Sequence, residues 1–138
     1  MSEIVWTGEQ AAAIQAEGHT LLAASAGTGK TTTVIGKILW HLGFPVGTNA
    51  ETGQPIPEPP AERRMVLPRI AAITFTEKAA YDLKKKLREE IAEHAPQLIR
   101  DLDRATVGTI HSFCGELLRE HALRLGIDPG FRVLDERE

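Results

Sequence analysis

The segment Ala24-Ser25-Ala26-Gly27-Thr28-Gly29-Lys30-Thr31 holds the residue types that a polyphosphate requires. Phosphate oxygens must be met by several inward-pointing backbone N–H groups, and glycine lets the main chain close in without a Cβ in the way. The positive end of a following helix strengthens the same attraction. On this reading Ala26, Gly27, Thr28 and Gly29 cradle the phosphates of a bound nucleotide. Lys30 reaches the β- and γ-phosphates, Thr31 holds Mg²⁺ through its hydroxyl, and Thr32 completes the contact group. The general pattern has glycine first, where this chain has Ala24. The competing reading is a plain strand–turn–helix connection.

Other junctions carry further chemistry. Gln10 has two readings: it closes a capping box with Thr7, or its amide matches the N6/N7 edge of adenine. Phe75 and Thr76 stand where an apolar run, Ile70 to Thr74, gives way to a helix. An exposed Phe there suits stacking on a base, and a helix start suits a phosphate; alternatively Phe75 is core and Thr76 only a cap. His111 and Ser112 occupy the same kind of junction one unit later, at the usual ligand edge of a parallel sheet. Cys114 is expected in the core. Lys84, Lys85, Lys86 and Arg88 are followed at once by Glu89 and Glu90, which favours a solvated face over a nucleic-acid stripe. Asp135 and Glu136 resemble a water-activating acidic pair only superficially, because the strand before them is short and interrupted by Arg132.

These residues need elements to hold them. Thr7 and Gln10 open a first helix that Gly18 ends. His19 to Ser25 reads as a buried strand, and Val34, Ile35, Ile38 and Leu42 recur at helical spacing until Gly43. Residues 44–68 hold six of the eight prolines. That composition predicts a long exposed loop, flexible rather than packed. A strand follows over Arg69 to Thr74. Next comes a helix from Glu77 to His94 with Ala80, Leu83, Leu87 and Ile91 on one stripe. A strand is expected from Thr106 to Ile110 and a helix from Phe113 to Leu125, with Leu117, Leu118 and Leu125 inward. Phe131 to Leu134 reads as the start of one more strand. The alternation of helices and strands predicts an α/β fold with a parallel sheet.

Composition narrows the classes. The chain has 138 residues and is 42% apolar and 25% charged, which suits one globular domain. One cysteine excludes an intrachain disulfide framework and fits a reducing, cytoplasmic setting. No run approaches the roughly 20 apolar residues of a membrane span, so no membrane partner is expected. A net charge of −3 means that any case for nucleic acid rests on local motifs. The acidic final residues suggest that the chain is cut from something longer.

Taken together, these segments resemble the UvrD/Rep and RecB/AddA group of superfamily-one helicases. Thr7-Gly8-Glu9-Gln10 with Ala13-Ile14 is similar to that family's Q motif, and Ala23 to Thr31 to its motif I, closest to the RecB/AddA wording. Ile73 to Ala80 is similar to motif Ia. Thr109-Ile110-His111-Ser112-Phe113-Cys114, then Leu117, Leu118, Arg119 and His121, is similar to the next DNA-contacting motif. The resemblance runs from about Trp6 to Leu134. It implies the first part of a P-loop NTPase (RecA-like) motor domain, with ATP and Mg²⁺ as cofactors and single-stranded and duplex DNA as partners. The remaining helicase domains of a full-length chain are implied as well. Gln10 then becomes an adenine contact, and Phe75, Thr76, His111 and Ser112 become DNA contacts. Translocation in the family's 3′ to 5′ direction is expected of the whole protein, and no helicase activity of this fragment alone. Thr32 stands where many members have arginine, and the proline-rich stretch is longer than the family's usual link. Two rival readings remain open: a P-loop kinase acting on a nucleotide or small molecule, and a non-enzymatic nucleotide-binding module.

Overall fold

The computed structural model describes residues 3–23 and 29–134. In chain order the elements are β1 (Val5–Trp6), α1 (Gly8–Gln15), α2 (Lys30–His41), β2 (Thr48–Asn49), β3 (Ala71–Thr74), α3 (Glu77–His94), α4 (Ile99–Leu102), β4 (Thr106–Thr109), α5 (Ile110–Glu120) and α6 (Ala122–Leu125). Both strand pairings are parallel, β1 with β2 and β3 with β4. The fold is therefore α/β with small parallel sheets, as in part of a RecA-like helicase domain. No described helix is long and apolar enough to cross a membrane.

The long helix follows directly from its residues. Thr76 caps α3 by accepting from the Ala79 N–H at 3.1 Å, and Ala80, Leu83, Leu87 and Ile91 form its buried stripe. That stripe joins one core with Trp6, Ile14, Ile35, Leu39 and Trp40. Burial of such side chains is the main favourable term in holding the layers together.

Helix α1 begins as expected, with a complete Thr7–Gln10 capping box. It stops at Gln15, before Gly18, because a side chain from α2 takes its terminal carbonyls. The Lys37 ammonium donates to the carbonyls of Ala13, Ile14 and Ala16 at 2.9, 3.3 and 2.6 Å. Its three donors match three acceptors, and a cation at a helix C-terminus is favoured by the helix field. Burial holds the Lys37 pKa below its ordinary value.

Most of residues 44–68 are exposed, but the stretch is anchored rather than loose. Val46, Ile56 and Leu67 are buried in the core. The Trp6 indole N–H donates to the Val46 carbonyl at 2.6 Å, and that of Trp40 donates to the Pro57 carbonyl at 2.7 Å. Prolines cannot donate to a ladder, but their carbonyls accept, and Trp40 exploits that. At Gly47 φ is +117°, and a Cβ there would run into the Ile4 carbonyl. Only glycine permits so close an approach.

Several other expectations are corrected. Residues 19–23 form no strand, and Leu21 is 91% exposed; among the described residues no strand pairs with this run, and a strand exists only through its ladder. Strand β3 is shorter than expected and half-exposed, because the chain enters it through a 3₁₀ turn at Leu67–Arg69. Helix α5 starts at Ile110 because Thr109, rather than a later residue, is its N-cap. Cys114 is exposed rather than core. Leu117, Leu118 and Leu125 are also exposed, since α5 meets β3 and β4 and little else among the described elements. Residues 131–134 form no strand. Phe131 instead lies under the Arg119 guanidinium, 4.8 Å from its ring centre, a cation–π contact that draws this stretch onto α5.

His41 gives the protein a pH response. Its pKa lies below the ordinary 6.5, first through burial and then through the neighbouring Lys37 charge. Above pH 6.5 both folded and unfolded chains carry a neutral ring. As pH falls below 6.5 the unfolded chain takes up a proton that the folded one resists, so stability is lost until the lower folded pKa is passed. Urea midpoints measured on either side of pH 6.5 should therefore drop on acidification, and His41→Leu should flatten that drop. An unchanged pH slope in the variant contradicts this account.

Candidate functional site

The start of α2 is built unlike the other long helices. Helices α1, α3 and α5 each have a threonine N-cap whose hydroxyl accepts a backbone N–H. Helix α2 has Gly29 there instead, in the left-handed conformation with φ +80°, and no side-chain cap. Among the described residues no N-cap side chain accepts from its first N–H groups, which is the arrangement an external anion uses. Lys30 and Thr31 are exposed, and Thr32 is half-buried. Thr33 is buried, its hydroxyl donating to the Gly29 carbonyl at 2.9 Å. The expected phosphate-cradling residues Ala26, Gly27 and Thr28 lie outside the described residues, as do Asp135 and Glu136.

Lys30 and Thr31 open onto a cleft of about 220 Å³ whose far wall includes Ala72, Ile73 and Thr74 of β3. Thr74 is the residue immediately before Phe75. The start of α2 and the end of β3 thus face the same space, which sequence order does not reveal.

Gln10 is held at this site by α1. Its Oε1 accepts from the Thr7 N–H at 3.1 Å while its own N–H donates to the Thr7 hydroxyl at 3.2 Å. Its Nε2 lies 3.2 Å from where a Cβ on Gly29 would stand. The capping box therefore forms, and it does so with the amide turned toward the start of α2. An amide oxygen has two lone pairs, so accepting from Thr7 does not bar it from accepting a ligand N–H.

The second group sits at the sheet's C-terminal edge. Thr74 pairs with Thr109 in the β3–β4 register. Phe75 and Thr76 thus leave one strand beside the point where Ile110, His111 and Ser112 leave the other. Phe75 is 92% exposed, so the core reading of this ring does not hold. Thr76 does cap α3, and Ser112 donates its N–H to the Thr109 hydroxyl at 3.2 Å within the first turn of α5. His111 and Ser112 are exposed.

Two polar residues to which the sequence reading gave no such role hold the elements in place, Thr109 at this edge and Lys37 at the end of α1. The Thr109 hydroxyl lies 3.2 Å from Glu77 Oε1, at the start of α3, and 3.0 Å from the Ser112 hydroxyl. It ties the first turns of two helices to one point. Its position just before a helix was the available signal. Lys37 also had one: it is the only charged residue between Thr31 and Trp40. In the basic run Lys85, Lys86 and Arg88 are exposed, and Arg88 bonds to Asp103 at 2.8 Å.

Comparison with known proteins gives the family. Residues 6–138 match the UvrD/REP helicase N-terminal domain. The chain is 36% identical over 143 residues to an ATP-dependent helicase/nuclease subunit from Pelotomaculum thermopropionicum, covering 96% of this chain and 10% of that protein. It is 36% identical over 146 residues to the protein of the same name from Anoxybacillus flavithermus, covering 99% of this chain and 11% of the relative. For that of Desulforamulus reducens the figures are 34% over 148 residues, with 100% and 11% coverage. The chain thus spans about a tenth of the length of these relatives. The family match extends over nearly the whole sequence, and the chain belongs to the UvrD/REP helicase N-terminal domain family.

Proposed function

We propose that this chain is the N-terminal part of the first motor domain (1A) of an ATP-dependent DNA helicase that acts in DNA repair or recombination. The observation that carries this reading is the uncapped start of α2, with Lys30 and Thr31 on a cleft shared with the end of β3. The residues fit Mg·ATP: the α2 N–H groups and Lys30 receive phosphate oxygens, Thr31 ligates the metal, and Gln10 reads the adenine edge. Gly29 and Thr32 line the same turn, and the motif assigns Ala26, Gly27 and Thr28 to the cradle. Bound Mg·ATP supplies the cleavable γ-phosphate; the protein's own residues bind and orient it.

DNA is received at the adjoining edge. Phe75 stacks on a base, while Thr76, His111 and Ser112 meet the backbone at two neighbouring helix starts. Single-stranded or duplex DNA, the remaining domains of a longer helicase chain and a cytoplasmic setting complete the reading. Translocation is 3′ to 5′, and the 138-residue piece alone does not unwind DNA. The names of the similar proteins support a helicase, and the exposed aromatic beside the cleft supports coupling to a strand.

Hydrolysis of ATP by the full-length protein, measured with and without single-stranded DNA, tests this reading. Marked stimulation by DNA is the expected result. Tight ATP binding with turnover indifferent to DNA would instead favour a nucleotide-sensing module.

A further inference from the structure

The proline-rich segment has a turn that reaches the nucleotide side of the molecule. Strand β2 pairs with β1: the Thr48 N–H donates to the Ile4 carbonyl at 2.9 Å and the Ala50 N–H to the Trp6 carbonyl at 2.8 Å. The turn that follows closes on itself. Asn49 N–H donates to the Gln54 carbonyl at 2.9 Å, Gly53 N–H to the Asn49 carbonyl at 2.8 Å, and Glu51 N–H to Asn49 Oδ1 at 2.8 Å. Residues 49–54 are therefore a fixed turn set directly beside the residues that lead into α1.

Glu51 is what this turn presents. A Cβ built on Gly8 would coincide with the Glu51 carboxylate, so the acid lies against the first residue of α1. A carboxylate at a helix N-terminus is favoured by the helix field and by the N–H groups not used by the cap. Thr7 takes the Gln10 N–H, and as first-turn groups those of Gly8 and Glu9 have no acceptor within α1. The glycine at position 8 is what admits the acid. Two residues later in the same turn stands Gln10, its amide held between Thr7 and Gly29. A displacement of this turn carries the amide with it. Lys37 fixes the other end of α1, so the helix cannot follow as a whole.

We propose that Glu51 is a positioning residue of the nucleotide site, and that the 49–54 turn sets the purine selectivity of Gln10 through the first turn of α1. This rests on the reading that Gln10 contacts adenine. It gives the proline-rich segment a role in base recognition, without requiring that any of its residues touch the nucleotide.

Equilibrium binding of ATP and of GTP to the full-length protein tests it, using Glu51→Ala, Gly8→Ala and Gln10→Ala. Glu51 is exposed, and the Cβ of Gly8→Ala displaces only the end of its flexible side chain, so both substitutions leave the core intact. Each should weaken ATP binding about two- to fivefold, the range of a single helix-terminal charge, and leave GTP binding unchanged. Adding Glu51→Ala to Gln10→Ala should change ATP binding no further, since both act through one amide. If Gln10→Ala lowers the ATP/GTP ratio while Glu51→Ala and Gly8→Ala do not, the role of Glu51 is overturned and the adenine contact stands. If Gln10→Ala leaves the ratio unchanged, the adenine contact itself fails and the proposal fails with it. Equal weakening of both nucleotides by Glu51→Ala marks general loosening of α1 and overturns the selectivity role.

Discussion

Lys30→Ala should abolish ATP hydrolysis in the full-length protein and leave its fold intact. Lys30 is the first residue of α2, exposed on the cleft and outside the core cluster, so its removal opens no cavity. In the proposed site its ammonium would neutralise charge that builds on the phosphates as the γ-phosphate departs. Loss of one such preorganised group lowers turnover by on the order of a hundredfold or more. The measurement is DNA-stimulated hydrolysis alongside a thermal melt. A near-normal rate with an unchanged melt would remove Lys30 from the phosphate site.

Phe75→Ala should weaken single-stranded DNA binding by about tenfold or more, since stacking one base on an aromatic ring contributes roughly 1–3 kcal/mol. The ring is 92% exposed, so truncation removes little packing and the melting temperature should hold. ATP binding without DNA should also hold, because Lys30 and Gln10 are untouched. The two variants thus separate the two halves of the site: one loses hydrolysis, the other loses the strand. Unchanged single-strand affinity in Phe75→Ala refutes the stacking role.

What was legible in the residues follows a physical line. Helix α3 was readable to its ends because Thr76 caps it and its apolar stripe keeps a 3.6-residue period. The start of α2 was readable because a glycine-rich turn before a lysine is a local pattern that needs no distant partner. Residues 44–68 were not. Val46, Ile56 and Leu67 are spaced ten or eleven apart and match neither a helical nor a strand period, so each is anchored singly by its surroundings. The start of α5 was misplaced because Ile110 suits a strand, while the choice was made by the Thr109 hydroxyl. At the site, the residue types were visible but not the Glu51–Gly8 contact, which joins positions far apart in sequence.

The burial of Trp6 has a consequence for how the chain is made. The ring packs against Gly36 and Ile14, leaving no room for a side chain at position 36, and its indole N–H closes on the carbonyl of Val46. The strand it ends is paired only once Thr48 and Asn49 exist. Contacts of such separation close late, after the entropy of the intervening loop has been overcome. On a ribosome, α2 can hold the far end of the first helix through Lys37, while the strand that leads into that helix waits until the proline-rich segment has emerged. A pause in synthesis before residue 46 would leave the indole N–H of Trp6 without its carbonyl acceptor.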